Sequence, residues 1–270
     1  MPQPIAVTYQ VWPTANDLAF ASARLFATKV GEAAKKRGAA RVAISGGSTP
    51  QAAFRILADP AGPFANTIAW DQLQLYWVDE RCVPPDHPES NYGVCKKLLL
   101  DHVSIPAANV HRMEGELDPQ EAASRYESTL RNSMKLEGAE SPRFDLLLLG
   151  MGDDGHTASL FPHTDGLHEL GRLVIANHVP QKDTWRISLT WMVINQAAEV
   201  AFDIAGPAKT DVVAEVFTGP RDVERLPSQL IRPANGRLLL QLDEVAAAKL
   251  PSATEISAAD GRHTLGTLDI

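Results

Sequence analysis

Short apolar runs alternate with amphipathic stretches of helical spacing along most of the 270 residues, and that alternation admits few folds. Asp17–Arg37 carries Leu18, Ala21, Leu25 and Val30 at helical intervals, and Arg41–Ser45 follows as a short run containing β-branched residues. Further strands are predicted at Leu73–Val78, Phe144–Leu149, Leu173–Ala176, Arg186–Leu189, Val200–Ile204 and Leu238–Leu242. Helices are predicted at Pro50–Leu57, Tyr92–Leu100, Pro119–Met134, Trp191–Gln196, Thr210–Phe217 and Glu244–Lys249. Strands separated by helices pair most readily in parallel. The expected fold is therefore α/β, an open, mostly parallel sheet covered by helices on both faces, in one domain over residues 1–270.

Composition narrows the partners. A hydrophobic content of 44% suffices for a substantial core. The net charge of −8 argues against nucleic acid or an anionic membrane surface as partner, so any site for an anion has to be assembled locally. Cys82 and Cys95 form neither a CxxC pair nor a zinc spacing, and read as plain thiols of a reducing compartment. Met1–Val7 lacks a basic segment followed by an apolar signal core, and no run is long enough to cross a bilayer; cytoplasmic residence is the expectation. The prolines at Val83–Pro88 and Pro162–Thr164 read as loops rather than linkers.

Charge and glycine collect where the apolar runs end, which is where an open α/β sheet builds its sites. Gly150-Met151-Gly152-Asp153-Asp154-Gly155-His156 follows Phe144–Leu149 directly and continues as Thr157-Ala158-Ser159-Leu160-Phe161-Pro162. Its glycines give the backbone freedom to aim Asp154 and His156 into one small space. A tight turn with an exposed histidine is the bland alternative, but strand, acid and imidazole coincide here. Ser45-Gly46-Gly47-Ser48-Thr49-Pro50 is the best phosphate cradle in the chain: the glycines permit close approach, the hydroxyls offer donors and a cap, and Pro50 suits the first helical position. No Walker or dinucleotide pattern is present, so no nucleotide is implied.

Asp79-Glu80-Arg81 ends Leu73–Val78. Asp79 suits positioning of a hydroxyl or proton, and Arg81 offers a cationic fork for phosphate or an oxyanion, although a surface ion pair is the ordinary reading of such residues taken alone. Lys182, Arg186 and Lys209 are further candidates for an anion, Lys209 standing after another apolar strand. Arg232 reads as ordering a loop. The remaining histidines read as surface or structural, and Trp70, Trp77, Trp185 and Trp191 as core or pocket wall.

Taken together, Ile44–Pro50, Trp77–Arg81 with Ser90-Asn91-Tyr92, Gly150–Pro162, Arg186–Asn195 and Leu226–Pro233 resemble the 6-phosphogluconolactonase family, within the glucosamine/galactosamine-6-phosphate isomerase superfamily. The likeness runs from the first helix almost to the carboxyl end. It implies hydrolysis of 6-phospho-D-glucono-1,5-lactone in the oxidative pentose phosphate pathway, with no metal or organic cofactor. The expected partner is a small sugar-phosphate lactone; the chain could be a monomer or small homo-oligomer. Carried over by motif, His156 is the general base, Asp154 its neighbour, and Arg81 and Asp79 line the same pocket.

Two rivals differ in their requirements. A glucosamine-6-phosphate deaminase-like isomerase shares the Ser/Gly loop and the Asp-Gly-His turn. That branch places a glutamate beyond the histidine, where this chain has Leu160-Phe161-Pro162, and a tyrosine after its Asp-Glu pair, where this chain has Arg81. A non-catalytic sugar-phosphate sensor would have no physical need to keep His156, Asp154 and Arg81 together.

Overall fold

The strands fall into two sheets in the computed structural model, which describes residues 6–252, 254–258 and 261–270. In chain order they are β1 (Ala6–Trp12), β2 (Ala40–Ile44), β3 (Leu73–Trp77), β4 (Asp79–Arg81), β5 (Val110–His111) and β6 (Leu146–Leu149). There follow β7 (Val174–Val179), β8 (Thr184–Leu189), β9 (Glu199–Ile204), β10 (Arg237–Asp243), β11 (Thr254–Ala258) and β12 (Gly261–Asp269). The helices are α1 (Ala15–Arg37), α2 (Ser48–Ala58), α3 (Asn91–Leu98), α4 (Pro119–Met134), the single turn α5 (Trp191–Ile194) and α6 (Thr210–Thr218).

The larger sheet has the order β11-β12-β1-β10-β9-β6-β2-β3-β5. Every pair from β1 through β10, β9, β6, β2 and β3 to β5 is parallel; only β12 and β11 run antiparallel at one edge. Strands β6 and β9 are buried at every position, as expected where both faces are covered. From β2 the chain first builds outward through β3 to β5, then returns to add β6, β9 and β10 on β2's other side. That reversal opens a crevice between the carboxyl ends of β2 and β6, the point at which such sheets take ligands.

Most helix ends follow local chemistry. Thr14 caps α1 by accepting from the Asp17 N–H, and Gly38 closes it at φ +74°. Asp118 caps α4, with Pro119 at the first helical position. Buried Tyr126 of α4 accepts from the Trp77 N–H and donates to the Trp77 carbonyl, both at 2.9 Å, pairing strand groups that the two-residue β5 leaves over.

Two expectations need correction. The predicted strands Leu173–Ala176 and Arg186–Leu189 are β7 and β8, and they do not join the parallel sheet. They pair antiparallel with each other, and β8 pairs with β4, in a separate three-stranded sheet. The short link through Pro180–Lys182 and Asp183, at φ +45°, forces this: a parallel return needs a crossover of a dozen residues or so. Glu244–Lys249 is a series of turns rather than a helix. The Asp243 carboxylate accepts from Ala246 N–H, and Ala248 and Leu250 bond three residues back instead of four. Trp185, 39% exposed on β8, is not core but lines a separate surface hollow with Cys82, Pro84 and Leu117, and it tilts against His178 with ring centres 5.0 Å apart. Strands β1, β4, β5, β11 and β12 have no counterpart in the expected pattern. Among the described residues no helix is long and apolar enough to cross a membrane.

Candidate active site

A cavity of about 280 Å³ occupies the crevice, lined by Ser45–Pro50 after β2, Asp79 and Arg81 of β4, Asn91 of α3, and Gly150–Asp153, His156 and Ala158 after β6. Asp203–Ala205 at the end of β9, and Lys209, complete it. Four chain segments that are distant in sequence converge because their strands are neighbours with carboxyl ends at one side.

The turn after β6 holds the imidazole by three means. Asp154 Oδ1 lies 2.5 Å from His156 Nδ1 and also accepts the His156 backbone N–H at 3.1 Å. Gly155, at φ +78°, returns the chain so that the Gly152 N–H donates to the His156 carbonyl at 2.8 Å. Phe161 then stacks on the imidazole, with centres 3.9 Å apart and planes 21° from parallel. Nδ1 is engaged and one ring face is covered, which leaves Nε2 as the nitrogen for chemistry. Burial pushes the Asp154 carboxyl up, but the bonds and charge it shares with His156 outweigh this and hold its pKa below the ordinary value.

On the β2 side, Ser45 Oγ donates to the Leu148 carbonyl at 2.9 Å, tying the loop to β6. A side chain at Gly46 would meet Asn91 Oδ1 at 1.8 Å, so glycine is what lets Asn91 close on the loop. Helix α2 begins at Ser48 rather than Pro50. Gly47, at φ +116°, is its cap residue, and no side chain caps it, contrary to the role expected of Ser48 and Thr49. Pro50 is the third helical residue, still within the first turn where its missing N–H costs nothing. The first turn of α2 therefore presents its backbone donors to the cavity without a competing side chain.

Strand β4 divides its charges. Asp79 is buried and accepts from Ser159 Oγ at 2.7 Å. Glu80 points the other way, taking the N–H groups of Arg81, Asn91 and Tyr92 at 2.7–2.8 Å and the Ser90 hydroxyl at 3.1 Å. It organises the start of α3; burial raises its pKa despite those donors. Arg81 donates to the Glu89 carbonyl at 2.8 Å and lies opposite Arg186 in the β4–β8 register. Burial first, then the charge of Arg81, pushes the Arg186 guanidinium below its ordinary pKa. Two guanidiniums held side by side in this way favour an anion between or before them.

Of the residues singled out in the sequence, Ser45, Gly46, Gly47, Ser48, Thr49, Asp79, Arg81, His156 and Lys209 line the cavity. Asp154 reaches it through His156. Arg186 stands outside the lining, opposite Arg81 in the β4–β8 register and bonded to Thr184 Oγ1 and the Trp185 carbonyl. Lys182 also lies outside, its ammonium 5.6 Å from the centre of the Phe161 ring. Sequence reasoning gave no role to Asn91, Ser159 or Phe161. Each sits inside a quoted motif, but only their contacts reveal what they do.

Residues 13–240 match the family described as glucosamine-6-phosphate isomerases/6-phosphogluconolactonase. A 6-phosphogluconolactonase of Nostoc sp. (strain PCC 7120) is 40% identical over 245 residues, covering 90% of this chain and 98% of the relative. That of Haemophilus influenzae is 41% identical over 209 residues, 77% and 87% of the two chains. The crystal structure of 6-phosphogluconolactonase from Leishmania guyanensis superposes with a TM-score of 0.80 at 26% identity, covering 92% of this chain and 100% of that one.

Proposed function

The chain belongs to the glucosamine-6-phosphate isomerase/6-phosphogluconolactonase family, and from that premise we propose that it hydrolyses 6-phospho-D-glucono-1,5-lactone to 6-phospho-D-gluconate. The observation that carries the reading is the Asp154–His156 pair, set beside Arg81, Lys209 and the uncapped start of α2 in one cavity. With Nδ1–H donated to Asp154, Nε2 of a neutral His156 takes a proton from water as the oxygen attacks the lactone carbonyl carbon. Asp154 steadies the imidazolium that forms. Charge moves to the carbonyl oxygen, where Arg81 or backbone donors stabilise it. The tetrahedral intermediate then collapses, the bond from carbon to ring oxygen breaks, and His156 returns its proton to the departing ring oxygen. Asp79, held by Ser159, suits a sugar hydroxyl.

Lys209 and the α2 donors suit the phosphate, with Arg186, opposite Arg81, reinforcing the field. Lys182 contributes through Phe161 rather than directly. The deaminase reading loses further ground: Phe161, in the region where that branch carries its glutamate, packs on the imidazole and supplies no proton.

The test uses freshly generated lactone, corrected for spontaneous opening and run with chelator present. His156→Ala is expected to lower turnover by about 10²- to 10⁴-fold while 6-phosphogluconate still binds. Near-normal turnover would reject His156 as base. Ammonia release from glucosamine 6-phosphate would reject the lactonase reading altogether.

A further inference from the structure

The larger sheet has a second hollow at its other end. It measures about 460 Å³ and lies at the amino ends of β2, β6, β9 and β10, opposite the carboxyl ends of β2, β6 and β9 that line the active-site cavity. A five-residue strand at about 3.3 Å per residue puts roughly 16 Å between the two. No step of the hydrolysis uses it.

Its charge is unusual for this chain. Six cations line it, Lys29, Lys36, Arg37, Arg41, Arg143 and Arg237, against three carboxylates, Glu32, Asp145 and Glu199. All three carboxylates are already engaged: Glu199 and Glu32 lie 3.1 and 3.0 Å from the Lys29 ammonium, and Asp145 pairs with Arg37. Asp145 also accepts the Arg41 backbone N–H at 2.9 Å. Lys36, Arg41, Arg143 and Arg237 have no carboxylate partner among the described residues; Arg143 donates only to the Asn235 carbonyl. The macrodipole of α1 accounts for Lys36 and Arg37 in its last turn. It does not account for Arg41, Arg143 and Arg237, which arrive from three other segments. A chain of net charge −8 thus gathers a local surplus of three positive charges in a concave site of small-molecule size.

We propose that this hollow is a second binding site, for a small polyanion carrying at least two phosphate charges. The guanidiniums of Arg41, Arg143 and Arg237 grip the phosphoryl oxygens, and Lys36 adds charge at the rim. The ion pairs Lys29–Glu199 and Arg37–Asp145 form the wall and stay closed.

Inorganic pyrophosphate is the probe, followed by titration calorimetry on the wild type, on Arg41→Gln/Arg237→Gln and on Lys209→Ala. The wild type is expected to show two classes of site. The double glutamine variant should lose one of them, about tenfold or more in affinity for each arginine removed, with an unchanged melting temperature and unchanged lactone kinetics. Lys209→Ala should keep that class and weaken the other. Should the Lys209 assignment be at fault, only the third isotherm changes, so the two readings fail separately. The proposal is overturned if the double variant gives the wild-type isotherm. It is equally overturned if the wild type is a dimer that this variant dissociates, since the hollow would then be covered by another copy.

Discussion

Gly152→Ala is the sharpest probe of how the turn after β6 works. A Cβ at this position would stand 2.0 Å from His156 Nδ1, 2.3 Å from His156 Cε1 and 2.4 Å from Asp154 Oδ1. Non-bonded heavy atoms settle at about 3.5 Å, so the imidazole and its carboxylate must retreat by more than about 1 Å. Misplacement on that scale costs on the order of 10²-fold in rate. Gly152 does not have a positive φ, so alanine meets no backbone penalty and the fold should survive. The groups proposed for the phosphate lie on other loops, so KM should stay within about threefold while kcat falls by about 10²-fold or more. Gly31→Ala on α1 is the control: nothing lies within 4 Å of its Cβ, it is outside the cavity lining, and its activity should remain near wild type. Initial rates on fresh lactone, with melting temperatures for both variants, make the comparison. A Gly152→Ala enzyme within threefold of wild-type kcat would refute the claim that the Asp154–His156 geometry governs turnover.

Three other outcomes are expected. Phe161→Leu keeps apolar bulk but removes the stacked face, and should lower kcat by about three- to tenfold at unchanged KM; unaltered kcat would make the stack incidental. Lys209→Ala should raise KM for the lactone about tenfold and leave kcat within a few-fold, and a selective loss of kcat would place it at the reacting centre instead. Asp203 is fully buried between Ser22 Oγ at 2.5 Å and Gln241 Nε2 at 3.0 Å, and burial pushes its pKa from 3.8 to about 7. A folded-state pKa above the unfolded one means that this contribution is complete below about pH 3.8 and is lost as pH rises through 7. Asp203→Asn cannot ionise, so it should gain up to about 4 kcal/mol on the wild type between pH 4 and pH 8 in urea unfolding; parallel pH dependences would contradict the assignment.

The legible part of the site was the part written in one segment. Asp154 and His156 are two residues apart on a glycine-rich turn, so their meeting follows from local geometry, as does the cradle at Ser45–Thr49. Lys182 and Arg186 were harder to judge, because a lysine or arginine reads alike whether its head faces a cavity, an aromatic ring or another arginine. The start of α2 lies two residues before the expected Pro50, since Gly47's φ of +116° is a property of the turn and Pro50 is tolerated anywhere in a first helical turn.

Periodicity, glycine placement and charge at strand ends determined the α/β class, most of the elements and the principal acid and imidazole, because burial and backbone freedom act over a few residues and leave a local trace. Tertiary structure alone decided that β7 and β8 leave the parallel sheet to pair with β4, and that Phe161 covers His156. It alone decided that Asn91 closes on Gly46, and that arginines from separate segments collect at the amino ends of the strands. These are choices among partners far apart in the chain, made by competition between alternative pairings, and no single segment carries their outcome.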